Sequence, residues 1–501
     1  MSYPTEGSIS EEDGDSSPFL LSEGSSKDPV EVNDYNQGFD PTSDSANPQE
    51  WPLSYKRGIV ALLAGSAFTV TFNSMSVIPV ANQIAEDVGN AEDGSKMVSA
   101  LPVTIWELGE ATGCLLIAPL SETFGRYRVI NICSIIFIFA TIIGALSTSM
   151  SQFIVSRALA GMVVTSNVLN PAIIGDIFPP EHRGTALSIV QFAPVLGGTV
   201  GAAASGAISE LLGWRSVLGT SISLASLCQF GFFIYYRETY KPVILRKRAA
   251  ALNEKLEDTS SSGSLGESSF LEQASTGIFL SLLRPAQVIL DSGVLAALSV
   301  FGSVLFAHYC VQNVTLPPIL EDTYGMSPVE AGKAFLANGV GSIIGIVICK
   351  FTIDRIYLKL RAANKGIGRP EYRLPMAVIA ALMMPLALAL YGLCAEYRLT
   401  LGLLLVSVAW TRMCIVLGLV PVMAYAVDAC SLYSASAATG IVVLRCIAGA
   451  SLPLLTVQMV ECVGYGSSYI LLSVISLGLG LIPIIIMRFG LHWRQRSTYT
   501  S

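Results

Sequence analysis

Gly113 to Arg128 reads GCLLIAPLSETFGRYR, and this stretch carries the pattern that decides the fold. Its first half is apolar, whereas its second half holds Glu122, Gly125 and Arg126 before it ends on Arg128. An apolar run that ends in a short charged turn is typical of a helix leaving a membrane. Gly125 permits a tight turn, and charged side chains there can bond to a neighbouring helix. We expect these residues to form a conformational latch; a solvated loop is the alternative.

The composition excludes an ordinary soluble protein. Hydrophobic residues make up 52% of the 501 residues and charged residues only 13%, with a mean hydropathy of +0.58. Soluble globular proteins carry about 25% charged residues, so this chain has too few charges to cover its apolar surface. The net charge of −7, without a dominant basic cluster, also excludes a nucleic-acid partner.

Apolar stretches of about twenty residues recur from Arg57 onward, and each is long enough to cross about 30 Å of hydrocarbon. The pattern predicts twelve membrane helices, six on each side of a polar linker, and therefore an all-α polytopic fold of two six-helix bundles. The predicted helices lie near 58–80, 98–120, 129–149, 153–175, 186–208, 216–236, 292–316, 332–353, 374–394, 400–425, 433–456 and 466–488. A 6 + 6 arrangement also indicates internal duplication.

These helices divide the chain into five regions. They are an acidic tail (1–56), a first bundle (57–236), a linker (237–290), a second bundle (291–489) and a closing tail (490–501). The first fifty residues hold twelve acidic residues and one lysine, a composition that favours disorder. The linker opens with basic residues, and we expect a short amphipathic piece near 241–258 followed by flexible chain.

Loop charges predict the orientation. Loops on the side of the two termini are rich in arginine and lysine, whereas the opposite loops carry mainly Asp and Glu. Basic loops remain in the cytoplasm, so both termini are expected to be cytoplasmic.

The ten cysteines indicate buried free thiols. Seven of them lie in apolar runs, and the sequence has no CxxC pair and no Cys/His spacing of a metal site. No catalytic triad or phosphate-binding glycine loop is present either. We therefore expect no metal, no cofactor and no enzymatic activity.

The quoted stretch resembles the loop signature of the major facilitator superfamily, in the form typical of fungal drug:proton antiporters with twelve helices. Other segments resemble further motifs of that family, and together they extend over roughly 47–497. These segments are Asn47 to Pro52, Arg157 with its neighbours, Glu181 to Gly184, Asp428 to Ala437, Arg445 to Leu454 and Arg488 to Arg494. The resemblance implies a monomeric plasma-membrane transporter that binds a small molecule and protons in a central cavity and works by alternating access. It also places Arg157 in that cavity, in proton coupling or substrate binding; a structural counter-ion is the alternative.

The fifth predicted helix resembles the antiporter motif of the same family. The stretch Ala193 to Ala202 keeps Pro194 and the glycines Gly197 and Gly201, while Gly198 stands where the family has a second proline. Small residues permit close helix approach, and the proline can bend the helix. The second half of the chain retains only Asp354 and Arg355 of the loop signature.

Glu107 and Glu110 are charged residues in the second predicted helix, where the family usually has apolar ones. Their i, i+3 spacing places both on one face near mid-membrane. A charge at that depth costs at least about 2.5 kcal/mol and indicates function by default. Mutual repulsion would favour a proton on one of them, as in a proton carrier. The alternative is a structural ion pair with Arg157 or Arg445.

A set of polar residues at membrane depth is predicted to line the substrate cavity, because such a cavity needs a few polar groups among apolar walls. The set is Asn167, Asn170, Gln191, His308, Tyr309, Gln312, Asn313, Asn338, Arg412 and Arg445. The arginines favour anionic substrates and the two glutamates favour cations, so the substrate charge stays open.

The leading interpretation is a proton-coupled antiporter that exports drugs, toxins or secondary metabolites. An organic-acid or polyamine carrier is the second transport interpretation. A transporter-like membrane sensor is a different class, which would carry a long folded cytoplasmic extension; the tail and linker here are short and of low complexity.

Overall fold

The computed structural model describes residues 47–89, 96–179, 183–248, 283–430, 434–495 and 497. Within them the chain is helical, with connecting turns and no strand. The acidic tail up to residue 46 and residues 249–282 of the linker lie outside the described residues, as do Glu181 and His182.

Six crossings form the first half. They are α1 (Leu53–Ser76), α2 (Lys96–Phe124), α3 (Arg126–Ala145), α4 (Met150–Met162 continued by Ser166–Ile177), α5 (Arg183–Leu212) and α6 (Trp214–Tyr235). The predicted first helix begins near residue 58, five residues later than the observed start at Leu53. The earlier turn is basic, but its charge is covered by protein, since Lys56 is buried and donates to the Gln49 carbonyl at 2.6 Å.

Six further crossings form the second half. They are α7 (Gly293–Pro318), α8 (Leu336–Ala363), α9 (Pro375–Glu396), α10 (Leu401–Cys430), α11 (434–463) and α12 (465–479 continued by Leu481–Arg494). Short helices occupy 241–248 and 283–291, so the amphipathic piece predicted near 241–258 is seen in its first part only.

The last apolar segment contains two crossings. Eleven segments of the described chain are long and apolar enough to span a membrane, and the last, Ala435–Arg494, has 60 residues. A continuous helix of that length would measure about 90 Å, three times the hydrocarbon thickness. Gly464, with φ 81° and ψ 170°, breaks it into α11 and α12. The prediction of twelve crossings is therefore confirmed.

Each half packs around its own apolar core. In the first half α1 packs on α5, α2 on α4 and α3 on α6; in the second, α7 packs on α11 and α10 on α8 and α9. The halves meet where α2 lies along α11 and α5 lies along α8 and the preceding short helix Pro328–Ala334. The predicted architecture of two six-helix bundles is thus confirmed.

We call the membrane face on which α1 begins and α12 ends the terminal side, and the opposite face the distal side. On the distal side the two bundles touch through backbone. A Cβ on Gly206 of α5 would lie 2.2 Å from the Pro328 carbonyl oxygen. The Asn82 amide also donates to Glu321 Oε2 at 2.7 Å across the halves. The distal side is therefore closed in this conformation.

Candidate functional site

The two glutamates of α2 lie where the bundles meet. Glu107 and Glu110 are only 6% and 7% exposed and share the face of α2 that packs on α11. Glycines on another face let α2 approach α4 closely: a Cβ on Gly113 would lie 2.0 Å from the Met162 carbonyl oxygen. The site is thus held between a rigid helix pair of the first bundle and α11 of the second.

Glu110 is paired. Its Oε1 lies 3.5 Å from Arg445 Nη2 of α11 and accepts a hydrogen bond of 2.5 Å from the Asn167 amide of α4. The ion pair joins the two bundles near mid-membrane, where removing one partner would leave an uncompensated buried charge. The predicted alternative of an ion pair is therefore met by Glu110 and Arg445.

Glu107 is compensated less fully, by the Cys446 thiol and by the nearby Arg445 charge, and it has no ion pair within 4 Å in the described part of the chain. Its Oε2 is buried without a hydrogen-bond partner among the described residues. The ligand atoms of Glu107, Glu110 and Cys446 lie within 4.8 Å of one another, so two carboxylates and a thiol share one small buried volume. We assign no metal to this cluster, because Arg445 and Asn167 already occupy Glu110 Oε1.

Arg157 binds the end of a helix rather than a carboxylate. Its guanidinium donates to the carbonyl oxygens of Asn73 and Ser74, each at 3.4 Å, and to Asn73 Oδ1 at 3.3 Å. Asn73 and Ser74 belong to the last turn of α1, whose carbonyls carry the negative end of the helix dipole. One face of the guanidinium stacks on the Trp106 ring, with its carbon 4.4 Å from the ring centre. Neither glutamate of α2 pairs with Arg157.

Helix α7 presents two polar faces. Tyr309 and Asn313 face the first bundle, since the Tyr309 hydroxyl and the Asn313 amide donate to Met75 Sδ of α1 at 3.1 and 3.7 Å. Phe306, one turn before Tyr309, lies against Arg445 and Gly449 of α11. His308 and Gln312 are completely buried on the other face, inside the second bundle. The predicted cavity set is therefore divided between two places.

His308 is anchored locally through one ring nitrogen, since Nδ1 lies 2.7 Å from the Val304 carbonyl oxygen one turn earlier, whereas Nε2 is buried without a hydrogen-bond partner in the part of the chain that the structure describes. Both amide atoms of Gln312 are buried without a hydrogen-bond partner among the described residues. One turn further on, the Thr315 hydroxyl lies 2.5 Å from the Tyr469 hydroxyl of α12. This face of α7 therefore packs against other helices of the second bundle, such as α12.

Two arginines stack on the aromatic side chains of the interface face of α7. The Arg412 guanidinium of α10 lies 4.0 Å from the centre of the Tyr309 ring, and that of Arg445 lies 4.8 Å from the centre of the Phe306 ring. Arg412 Nε also donates to Ser342 Oγ of α8 at 2.7 Å. Arg412 and both rings are only half-buried, so open space adjoins this face.

The remaining predicted cavity residues occupy different surroundings. Asn338 is buried and donates to Asn313 Oδ1 at 3.4 Å, at the interface face of α7. Asn170 is buried within the first bundle and donates to the Leu63 carbonyl at 3.3 Å. Gln191 is exposed. Of these three residues, only Asn338 lies beside the face of α7 that carries Tyr309 and its Arg412 contact.

The glycines of the α5 motif allow α5 to pack directly on α1. A Cβ on Gly197 would lie 2.2 Å from the Phe68 carbonyl oxygen, and one on Gly201 would lie 2.7 Å from that of Phe72. Gly198 faces the Met75 side chain, and Pro194 lies half-buried one turn earlier within the helix. The motif therefore determines the spacing of α1 and α5.

The charged turn between α2 and α3 is built around Glu238, which follows α6. Its carboxylate accepts hydrogen bonds from the backbone amides of Arg126 and Tyr127 at 3.0 and 3.2 Å, and so caps the N-terminus of α3. Gly125 has φ +96° and a Cβ there would lie 2.3 Å from Glu238 Oε2. A glycine is therefore required by both conformation and space.

The Arg126 side chain turns toward α4. Its Nε lies 3.6 Å from Asp176 Oδ2, its Nη1 donates to Ser121 Oγ, and its guanidinium stacks on Tyr240 at 4.7 Å. Burial raises the pKa of the Tyr240 hydroxyl. Glu122 is exposed beside Tyr240, where its charge adds to the rise in the pKa of that hydroxyl, and Arg128 is exposed.

The second bundle repeats the arrangement at the start of α9. Arg373 binds Asp354 Oδ1 of α8 at 2.7 Å and Asp428 Oδ2 of α10 at 2.9 Å, and it stacks on Tyr357. Arg355 points away and lies over Phe351 at 5.8 Å. Asp176, Glu238, Arg373 and Asp428 were absent from the predicted latch. The available signal was their position at the terminal-side ends of helices or just beyond them.

A separate small pocket lies inside the first bundle, between α1, α3, α4 and α6. Its polar lining includes Thr69, Thr165 and Gln229, and Gln229 donates to Asn131 Oδ1 at 2.7 Å. None of the predicted cavity residues lines it, so it is distinct from the interface site.

Comparisons with known proteins agree with this architecture. The sequence profile of the Major Facilitator Superfamily matches residues 63–453. The efflux pump radE of Floropilus chiversii is 30% identical over 464 residues, which cover 92% of this chain and 85% of that protein. The MFS transporter cpaT of Aspergillus oryzae is 28% identical over 464 residues, covering 92% of each.

Solved structures share the fold. The xylose transporter XylE from E. coli, in a partially occluded inward-open conformation, aligns with a TM-score of 0.62 at 15% identity and covers 87% of this chain and 99% of its own. The human organic anion transporter MFSD10 aligns with a TM-score of 0.59 at 19% identity, covering 87% and 100%. With the profile matching most of the chain, the protein belongs to the Major Facilitator Superfamily and is a secondary transporter, not an enzyme.

Proposed function

We propose that the protein is a proton-coupled antiporter that exports small organic molecules such as drugs, toxins or secondary metabolites. The observation that carries the proposal is Glu107, a buried carboxylate without a hydrogen-bonded Oε2, beside the Glu110–Arg445 ion pair that joins the two bundles. A relative with 30% identity is named an efflux pump, which supports the direction of transport.

Glu107 is suited to take up a proton because of its surroundings. Moving a carboxylate out of water is costly unless a cation or hydrogen bonds compensate it, and protonation removes that cost. Glu110 is one helical turn away and adds repulsion, while Arg445 is engaged by Glu110. We assign the proton to Glu107 and a bridging role to Glu110.

Protonation can act on the conformational equilibrium through α2 and α11. The ion pair and the buried cluster lie on the contact between these two helices, so a change in their charge alters the attraction between the bundles. A ligand shifts such an equilibrium only through a difference in binding between two states. Glu107 binds a proton differently in the two conformations if water reaches its carboxylate in only one of these conformations.

We propose that the terminal-side turn of α2 and α3 acts as the latch for the opposite conformation. With the distal side closed, Glu122 is exposed on α2 while Arg126 stays bound to Asp176. When the terminal side closes, Glu122 is placed to meet the second bundle. Gly125, Arg126 and Asp354 hold the local turns in shape, and the exposed Arg128 and Arg355 join Glu122 in that contact.

The proposed topology follows the charge of the loops. The terminal side faces the cytoplasm, and the protein works as a monomer in the plasma membrane. The two bundles correspond to 57–236 and 291–489, with the linker 237–290 and both tails in the cytoplasm. Basic loops on the terminal side support this orientation.

Export from cells that express the protein, measured against a library of fungal metabolites, tests the function. We expect one chemical class to accumulate less in expressing cells, and this difference to vanish when the pH gradient is collapsed. Export that persists without a pH gradient would contradict proton coupling. Equal accumulation of every compound in expressing and non-expressing cells would contradict the export function.

A further inference from the structure

Arg412 differs from the other arginines at membrane depth. Arg445 is paired with Glu110, and Arg157 is bound to the last carbonyls of α1. Arg412 is half-buried and no carboxylate of the described residues lies within ion-pair distance. A charge near the bilayer centre costs about 2.5–3.5 kcal/mol, so an uncompensated one indicates a ligand or function.

The geometry leaves part of Arg412 available. Its Nε is bound to Ser342 Oγ at 2.7 Å and one face of the guanidinium covers the Tyr309 ring at 4.0 Å. These contacts fix the orientation of the guanidinium. Its two terminal amino groups make no hydrogen bond or ion pair with the described residues, and a planar fork of this kind binds two oxygens of one acid group.

Aromatic surface adjoins this cation. Phe306 and Tyr309 lie one turn apart on α7, with ring centres 5.9 Å apart, and both are half-buried. Arg445 covers Phe306 as Arg412 covers Tyr309. The interface therefore alternates aromatic rings and guanidinium planes, which stack favourably on further aromatic groups.

We propose that Arg412 forms the recognition site for the transported substrate, and that this substrate is a planar aromatic organic anion, such as an aromatic carboxylate. The acid group binds the Arg412 fork and the ring stacks beside Tyr309 and Phe306. The inference rests on the proposed transport function and specifies its substrate class. A cationic substrate fits less well, because Glu107 is sealed from the open space and Glu110 is occupied by Arg445.

Binding of three matched probes to the purified full-length protein tests the proposal. The probes 2-naphthoate, 2-naphthamide and 2-naphthylmethylammonium share one ring system and differ in charge. Isothermal titration at neutral pH, without any gradient, is expected to show tightest binding for 2-naphthoate. The Arg412→Gln variant is expected to weaken 2-naphthoate at least about tenfold and to leave 2-naphthamide unchanged.

Two further variants test whether the guanidinium shape of Arg412 matters beyond its charge, and whether the effect is specific to this position. Arg412→Lys keeps the charge but loses the fork and the stacking plane, so its 2-naphthoate affinity should fall between wild type and Arg412→Gln. Arg237→Gln removes another arginine that covers a tyrosine ring, Tyr55 at 5.7 Å, but lies exposed beyond the end of α6. It should leave all three affinities unchanged.

Several results would overturn the inference. They are equal affinity for the three probes, no binding of 2-naphthoate, or 2-naphthoate binding that survives Arg412→Gln. Retained 2-naphthamide binding in Arg412→Gln shows that this variant is folded. Recognition by the guanidinium fork would also be contradicted if Arg412→Gln lost binding of both probes while Arg412→Lys bound 2-naphthoate as tightly as wild type. Failure of a pH gradient to drive 2-naphthoate transport, with Arg412-dependent binding intact, would instead count against proton coupling alone.

Discussion

Replacing Gly197 with alanine tests the packing of α1 against α5. The added Cβ would lie 2.2 Å from the Phe68 carbonyl oxygen and 2.4 Å from Thr71 Oγ1, whereas ordinary contact begins at 3.4 Å. The helices must therefore separate by about 1.2 Å, because a backbone carbonyl within a helix cannot rotate away. Overpacking of this kind costs about 1–3 kcal/mol.

Alanine also favours helix over glycine by up to about 1 kcal/mol, so the effect must be measured against a matched variant. Gly219 on α6 has no atom within 4 Å of its would-be Cβ. We expect Gly197→Ala to melt at a clearly lower temperature than Gly219→Ala in purified protein. Gly198→Ala should fall between them, because its nearest neighbour is the flexible Met75 side chain at 3.1 Å. Equal melting of Gly197→Ala and Gly219→Ala would refute close packing at this position.

Three further predictions concern the terminal side. Glu238→Ala removes the cap of α3 and should destabilise the protein by about 1–2 kcal/mol in thermal unfolding, whereas Ala at exposed Glu210 should not. Glu122→Ala should leave the melting temperature unchanged but slow turnover by shifting the inward–outward equilibrium; a normal transport rate at equal surface expression would contradict the latch. Deleting residues 2–40 should change abundance but not the KM of reconstituted protein, and a changed KM would contradict a purely peripheral tail.

The twelve crossings were predictable because each depends on a local property, an apolar run of sufficient length. The breaks within helices were not. The chain between Met162 and Ser166 leaves helical geometry in the middle of α4 although it is as apolar as its surroundings. Such a break depends on how neighbouring helices pack, and a hydropathy pattern does not contain that information.

Partners of the charged residues were predictable only in part. The sequence placed Glu110 and Arg445 at similar depth, and they pair. It also suggested a carboxylate for Arg157, whereas the actual partner is the end of α1, because helix carbonyls carry no residue-specific signal. Glu238 is separated from Arg126 by 112 residues, and only the folded chain brings them together.

The cavity set mixed two faces of α7 for a similar reason. His308, Gln312 and Tyr309 lie within five residues, and all are polar residues at the same depth. Their direction depends on the rotation of α7 about its axis. That rotation is determined by contacts such as Met75 with Tyr309, and these contacts join helices from different halves of the chain.

The measurement that tests proton coupling most directly compares Glu107→Gln with Glu110→Gln in reconstituted vesicles. Each variant is measured for its melting temperature, for substrate exchange at equal pH and for substrate accumulation driven by a pH gradient. Glu107→Gln should stay stable and exchange substrate, yet lose accumulation, because the neutral amide cannot carry the proton. Glu110→Gln should melt at a lower temperature, because Arg445 loses its ionised partner. Accumulation at the wild-type level in Glu107→Gln would contradict the assignment of the proton to Glu107.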